Sequence, residues 1–251
     1  MRVLGARMPG SGFAARGALL LSLLLVGATT ATAQSPPGAC FSTDPSTSLD
    51  LRINACTGFI ESKDLSQDRL AIAFQNRGSA YVAKGDTDRA IQDFDQAIKL
   101  DPKYANAFNS RGIAYQAKGD NERAIQDYGE AIRLDPGNPN PLNGRCWVRA
   151  SLGQLQAALA DCNESLRLRP NNSNTLDSRA FLYIRLGRWN DAITDSDAAL
   201  RANPTNAYAL FERGFAKRHN GDLAGGDKDI SASRAIDPNA QMELAGLGVR
   251  L

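Results

Sequence analysis

Proline and glycine each recur along most of this chain at one constant interval, and that period limits what the chain can fold into. The prolines are Pro102, Pro136, Pro170, Pro204 and Pro238, and the glycines are Gly85, Gly119, Gly153, Gly187 and Gly221. A fixed period of about 34 residues indicates stacked supersecondary units that bury their apolar faces against one another.

Each unit has the pattern of two helices joined by a short turn. Apolar residues at helical spacing lead up to the glycine, and a second such run leads from there to the proline. Glycine suits the left-handed residue that ends a helix, and proline cannot continue one. Small residues at matched places, such as Gly78 and Ala90, let the two helices approach closely. The sequence therefore predicts an all-α fold, an α-solenoid of helix–turn–helix repeats.

These units resemble the tetratricopeptide repeat family, whose pattern sets large, small and aromatic residues at fixed places before a proline. The first unit matches throughout with Phe74, Gly78, Tyr81, Ala90, Phe94, Ala97 and Pro102, and the second with Phe108, Gly112, Tyr115, Ala124, Tyr128, Ala131 and Pro136. Later units depart from the pattern at Cys146, Arg149 and Cys162, then at Ser196, then at Lys217 and Gly226. The resemblance covers residues 71–240 in five units, 71–104, 105–138, 139–172, 173–206 and 207–240. It implies a right-handed solenoid that binds proteins and is not an enzyme.

Two charged columns follow the same period. Arginine occupies the seventh place of every unit and aspartate the twenty-third, as in Arg111 and Asp127. One interpretation is a ladder of arginines for an anionic ligand. The other is a set of pairs that tie helix to helix, because arginine suits bidentate contact with a carboxylate. The one-to-one match of the columns favours the structural interpretation.

The N-terminal segment, residues 1–33, has the pattern of an export signal. Three arginines precede the apolar run 18–28, and Ala31-Thr32-Ala33 forms a small-residue cleavage site, so the mature chain is expected to begin at Gln34. An uncleaved anchor is the alternative, although the run is about half the ~20 residues that span a bilayer. Because such a leader directs export, we expect a periplasmic or secreted protein.

Removing the leader changes the net charge of the chain from +2 to −1. This argues against nucleic acid as a partner, because phosphate binding needs a surplus of positive charge.

The four cysteines fit the repeat register. Cys146 and Cys162 stand in the third unit, and Cys40 and Cys56 have the same separation in sequence. When the helix around Ile53 and Ile60 is aligned with the first unit, the two pairs fall on equivalent places. This predicts two disulfides and a degenerate, disulfide-held repeat over residues 34–70. Zinc binding and redox catalysis are the alternatives, but the cysteines are not closely paired and His219 is the only histidine.

The sequence offers little support for catalysis. It has no phosphate loop after a strand, no zinc motif and no nucleophile elbow, so we expect no metal, cofactor or small-molecule substrate.

In the last unit, Asp227 and Arg234 stand where earlier units carry aliphatic residues, which predicts a polar end to the array. The tail, residues 241–251, is too short for another repeat. A monomer is expected, and a self-associating structural protein of the envelope is the alternative.

The resemblance also implies where a client would bind, because the family's first helices line a concave groove. The groove places hold asparagines in the early and middle units and aromatics later. They are Asn106, Asn109, Asn140, Asn143, Asn174, Trp147, Phe181, Tyr208, Phe211 and Phe215. Asparagine can donate to and accept from a peptide backbone, and aromatics anchor interfaces. The alternative is that the aromatics pack between repeats. We predict a protein or peptide client, either soluble or associated with the envelope.

Overall fold

The computed structural model describes residues 37–62 and 66–249; the predicted leader lies outside this part of the chain. A short 3₁₀ helix, Pro37–Phe41, is followed by α-helices only. They are α1 (Leu49–Glu61), α2 (Gln67–Ala83), α3 (Thr87–Leu100), α4 (Ala105–Ala117), α5 (Asn121–Leu134), α6 (Pro139–Ser151), α7 (Leu155–Leu168), α8 (Ser173–Arg185), α9 (Trp189–Ala202), α10 (Ala207–His219), α11 (Leu223–Ile236) and α12 (Ala240–Gly246). None of these described helices is long and apolar enough to cross a membrane.

The helices stack as a solenoid, which confirms the predicted fold class. The hairpins are α2–α3, α4–α5, α6–α7, α8–α9 and α10–α11, and the second helix of each packs against the first helix of the next. The first helices α2, α4, α6, α8 and α10 also contact one another in sequence. They therefore form a continuous row, and the surface of that row is where the groove lies.

The turn inside each hairpin follows the glycine period. Gly85 and its four equivalents have φ between 69° and 93°, the left-handed region that glycine enters without a side-chain clash. The next helix begins at once, as where the Asp86 carboxylate accepts a hydrogen bond from the backbone N–H of Arg89. Inside the first hairpin, a Cβ at Gly78 would lie 2.7 Å from Phe94 Cε1. The small residue is thus required by the close approach of the two helices.

All five arginines of the seventh place form bidentate pairs with the aspartates of the twenty-third. In each pair Nε donates to Oδ2 and Nη2 to Oδ1, at 2.6–2.9 Å. The pairs are Arg77–Asp93, Arg111–Asp127, Arg145–Asp161, Arg179–Asp195 and Arg213–Asp229. The five aspartates are buried, so the guanidinium groups are satisfied by helix-to-helix contacts. This supports the structural interpretation of the two columns.

The remaining guanidinium nitrogen usually reaches back to the second helix of the preceding unit. Arg111 Nη1 donates to Asp95 at 2.6 Å, and Arg213 Nη1 donates to Asp197 at 2.8 Å. Arg179 makes the equivalent contact with Asn163. One arginine therefore ties together both helices of its own hairpin and the helix before it.

Breaking one such pair should lower the free energy of unfolding. Arg111→Ala and Asp127→Ala should each cost about 1–3 kcal/mol, because each leaves a partly buried polar group without its partner. The double variant should cost less than the sum of the two. Chemical denaturation of the four proteins measures this cycle, and Asp95→Ala, at a more exposed carboxylate, is the control that should cost less. Additive effects of Arg111→Ala and Asp127→Ala would contradict the pairing.

The structure pairs Cys40 with Cys56 and Cys146 with Cys162, as the register predicts. Their Cα atoms lie 4.7 Å and 5.4 Å apart, within the range that a disulfide spans. The register of the N-terminal segment is also visible in a hydrogen bond, because Arg77 Nη1 donates to Thr57 on α1 at 3.0 Å. The equivalent contact in the second unit joins Arg111 to Asp95. Helix α1 thus stands where the second helix of a preceding unit would stand.

Peptide mapping without reductant should recover the two links and no crossed ones. Reduction should destabilise the array by about 3 kcal/mol per bond, since each bond closes a loop between cysteines of sequence separation 16. Thermal unfolding of the oxidised protein and of the Cys146→Ser/Cys162→Ser variant separates the two contributions. Four free thiols in protein purified from an oxidising compartment would refute the register argument.

The C-terminal segment is more than a short tail. Helix α12 packs against α10, and Leu244 and Val249 are buried in the same apolar cluster as Phe211. Beyond α12, the backbone carbonyl of Leu247 accepts a hydrogen bond from Arg185 Nη1 on α8 at 2.9 Å. The segment therefore folds back over the row of first helices at the C-terminal end of the array.

Candidate binding groove

An open groove runs along the row of first helices from α4 to α10. Its volume is about 680 Å³. Amide side chains dominate the lining, and three aromatic rings and one carboxylate complete it. The lining residues are Asn109, Ile113, Gln116, Tyr128, Asn140, Asn143, Gly144, Trp147, Asn172, Asn174, Asp177, Ser178 and Tyr208.

Six of the ten residues that the sequence places in the groove lie along it. They are Asn109, Asn140, Asn143, Asn174, Trp147 and Tyr208. Asn106 is exposed on α4 but is not among the lining residues. The six converge because equivalent places on successive first helices face the same side once the units are stacked in register.

The expectation that Phe181, Phe211 and Phe215 present their rings to a client is wrong. Phe181 and Phe211 have 0% of their surface exposed and Phe215 has 6%. All three belong to an apolar cluster that also contains Leu244 and Val249 of the C-terminal segment. The rings therefore serve the core, which was the alternative that the sequence left open.

The ninth place of each unit shows where the groove closes. Ser79 is exposed in the first unit and Ile113 is 44% exposed in the second. Trp147 in the third is partly buried, with its ring centroid 4.9 Å from that of Phe181. In the fourth and fifth units the place is buried. The ninth place is therefore accessible from the groove in the early and middle units and belongs to the core in the last two.

Several of the amides are already committed to local contacts. Asn172 caps α8 by accepting from the backbone N–H of Asn174 at 3.2 Å. Gln116 Oε1 accepts a hydrogen bond from the Tyr128 hydroxyl at 2.8 Å, and burial raises the pKa of that hydroxyl. Asn143 differs, because its Oδ1 is buried and has no hydrogen-bond partner among the described residues. Asn143 lines the groove, so a ligand donor could reach this acceptor once the side chain rotates.

An acidic pair lies near the C-terminal end of the groove. Burial raises the pKa of Asp177 to about 7, although Asn206 Nδ2 donates to its Oδ1 at 3.1 Å. Glu212 has 0% of its surface exposed, and neither of its carboxyl oxygens has a partner among the described residues. Burial, followed by the nearby Asp177 and Asp195, raises the pKa of Glu212 well above its ordinary value. Sequence reasoning missed Glu212, and the available signal was a carboxylate where the three preceding units have Ser110, Gly144 and Ser178.

The raised pKa values should make this pair a source of instability above neutral pH. Between about pH 4 and pH 7 the unfolded carboxyl of Asp177 loses its proton while the folded one keeps it, so its contribution to stability falls as pH rises. Asp177→Asn removes this loss. Its melting temperature relative to the unmodified chain should therefore rise by a few degrees from pH 4 to pH 8. The matched control is Glu122→Gln, which makes an acid-to-amide change at an exposed position of α5. A flat difference for Asp177→Asn would contradict the buried-carboxyl interpretation.

Comparison with known proteins agrees with the fold. Models described as TPR repeat and tetratricopeptide repeat match residues 78–119, 105–138 and 179–226. Among solved structures, YrrB, described as a TPR protein with an unusual peptide-binding site, is 21% identical over 77% of this chain and 96% of its own, with a TM-score of 0.56. The Pseudomonas aeruginosa protein pilF is 17% identical over 72% of this chain and 86% of its own, with a TM-score of 0.62. No curated protein matches the chain significantly in sequence.

The stacked hairpins and their open inner surface define a class of protein, the helical-repeat scaffold for protein interaction. The segments that match these models, residues 78–138 and 179–226, are tetratricopeptide repeats. Among the described residues, no three His, Cys, Asp or Glu side chains come together in a way that could hold a metal ion.

Proposed function

We propose that this chain is a non-enzymatic adaptor of the cell envelope that docks a segment of a client protein in the groove lined by α4, α6, α8 and α10. The groove is open where the amides lie, and residues of four hairpins line it. A segment lying across it, extended or helical, would meet side chains from every unit it crosses.

The observation that carries this proposal is the set of amides around an acceptor without a partner. Asn140 and Asn174 are exposed beside the buried Oδ1 of Asn143, which has no partner among the residues that the structure describes. Buried polar atoms are normally paired, so rotation of the Asn143 side chain towards the groove, where its oxygen could accept from a peptide N–H, would remove an unsatisfied group. Amides that donate and accept can read a backbone independently of its side chains.

Trp147 supplies the apolar anchor of the proposed site. It is partly exposed, it lines the groove, and its ring is braced by Phe181. Tryptophan is among the residues whose truncation most often costs about 2 kcal/mol or more at an interface. We therefore place the energetic centre at Trp147, in the third unit, and away from the buried phenylalanines of the later units.

Export to an oxidising compartment is part of the proposal. The two cysteine pairs suit such a compartment, where disulfides form and persist. The leader predicted over residues 1–33 would provide the route. A client in the envelope, soluble or bound to its membrane, would then meet the groove outside the cytoplasm.

Self-association is the second candidate, because Leu223, Ile236 and Met242 are exposed near the C-terminal end of the array. Leu223 and Ile236 are the first and last residues of α11, however, and the helical period turns them to different sides of the helix. The surface between α11 and α12 is also polar, since Arg234 donates to Gln241 at 2.6 Å and 2.8 Å. Light scattering at rising concentration should report a single chain mass, and a stable dimer would favour this candidate.

Site-specific photocrosslinking in the native compartment tests the adaptor proposal. A photoreactive residue at Asn140 or Asn174 should form client adducts, and one at Gln92, exposed on α3, should form none. Trp147→Ala should reduce the groove adducts by about tenfold or more while the helical circular-dichroism signal is kept. Because Trp147 also packs on Phe181, Asn174→Ala is the second variant, with a smaller expected loss. Adducts equal at Gln92 and in the groove would overturn the proposal.

A further inference from the structure

The first junction between neighbouring first helices contains a side-chain hydrogen bond. The fifth residue of the first unit contacts the sixth residue of the second, because Gln75 Nε2 donates to Ser110 Oγ at 2.7 Å. The equivalent pairs along the array are Asn109 with Gly144, Asn143 with Ser178, and Asp177 with Glu212. Amides and small residues thus occupy the first three contacts, whereas the fourth contact consists of two acids.

The fourth contact contains hydrogen-bond acceptors in excess of donors. Glu212 is fully buried with both carboxyl oxygens unpartnered among the described residues, and Asp177 receives Asn206 Nδ2 at 3.1 Å. A buried carboxyl group costs free energy unless donors or a cation accompany it. Burial accordingly raises the pKa of both groups.

The cations nearest to this contact are used elsewhere. Arg179 is paired with Asp195 and Asn163, and Arg213 is paired with Asp229 and Asp197. Arg185 donates to backbone carbonyls, including that of Leu247. The groove lining itself contains no Lys, Arg or His among the residues described. The described part of the chain therefore supplies no cation to the pair, and Asp177 faces the groove, from which a cation can arrive.

We propose that Asp177, backed by Glu212, receives a lysine or arginine side chain of the client, so that the groove selects segments carrying a basic residue. This inference rests on the groove being the client site. A guanidinium or ammonium group brings several donors and a positive charge to the oxygens that lack both. Glu212 acts through Asp177 as a second carboxyl group behind it, and a cation at Asp177 favours the ionised forms that burial and mutual repulsion disfavour in the free chain.

The rest of the groove suits the same ligand. Trp147 and Tyr208 line it together with Asp177, and aromatic faces attract cations. The aliphatic stem of a lysine or arginine can lie against Trp147 while its charged end meets the acids.

Peptide libraries test this selectivity without knowledge of the client. Four degenerate octapeptide libraries, each with one central residue fixed as arginine, lysine, citrulline or norleucine, are passed over the immobilised full chain. We expect at least tenfold greater retention of the arginine and lysine libraries than of the other two. Asp177→Asn/Glu212→Gln should retain all four at the level of citrulline. Asp68→Asn/Glu122→Gln, which makes the same two acid-to-amide changes at exposed positions, should keep the preference.

The outcomes distinguish a failure of the basic selectivity from a failure of groove binding. Equal retention of all four libraries by the unmodified chain would overturn the basic selectivity and leave groove binding supported. Retention of none would overturn both. Loss of the preference in the control variant as well would assign it to net charge and overturn the inference. If Asp177→Asn/Glu212→Gln loses its helical signal, Asp177→Asn alone replaces it, because Asp177 lies at the groove surface, and an unchanged preference in that variant would overturn the inference.

Discussion

The arginine–aspartate pair inside each hairpin is the contact on which the array depends. A guanidinium group has donors in a fixed planar fork, and here two of its edges are used at once. One edge closes the hairpin through the buried aspartate, and the next nitrogen reaches the helix before it, as Arg111 does with Asp127 and Asp95. Hydrogen bonding to Asp127 raises the pKa of Arg111, so the guanidinium group stays protonated. On α5, the place equivalent to Asp95 is occupied by Gly129, which has no side chain to accept a hydrogen bond. Arg145 Nη1 nevertheless lies 3.6 Å from the position that a Cβ of residue 129 would take. The stacking distance is therefore kept even where one bond is missing.

Regular stacking converts a sequence column into a row on the surface. Because each first helix is held in the same relation to the next, the fifth and sixth residues meet at every junction, and only their chemistry changes. Gln75 and Ser110 bond to each other, and the later junctions offer an amide beside glycine, an amide beside serine, and finally two acids. A groove of one shape thus carries a polar character that varies along its length. Selectivity in such a scaffold can change by substitution within the row, without any change of fold.

The sequence predicts those features that obey the period. The helical hairpins, the left-handed glycines, the arginine pairs and the pairing of Cys146 with Cys162 all follow from residues that recur in register. The burial of Phe211 does not, because the atoms that cover its side of the array include Leu244 and Val249, which belong to a segment outside the repeat. Glu212 was missed for a related reason. Its place is occupied by small residues in the three preceding units, so only the structure shows that a long acidic side chain there has no room to reach solvent.

The acidic pair destabilises the free chain, and it lies between units that additional contacts stabilise. On the N-terminal side, Cys146–Cys162 ties α6 to α7, and on the C-terminal side the folded-back segment covers α10 and is held to α8 through Arg185 and Leu247. These contacts stabilise the units that flank Asp177 and Glu212. A core built for stability alone would replace a buried acid pair by apolar residues or by the amide and hydroxyl found at the first junction. A destabilising acid pair next to an open groove is more characteristic of a site for a ligand than of packing. The cost to the free chain would then be recovered when a cation arrives.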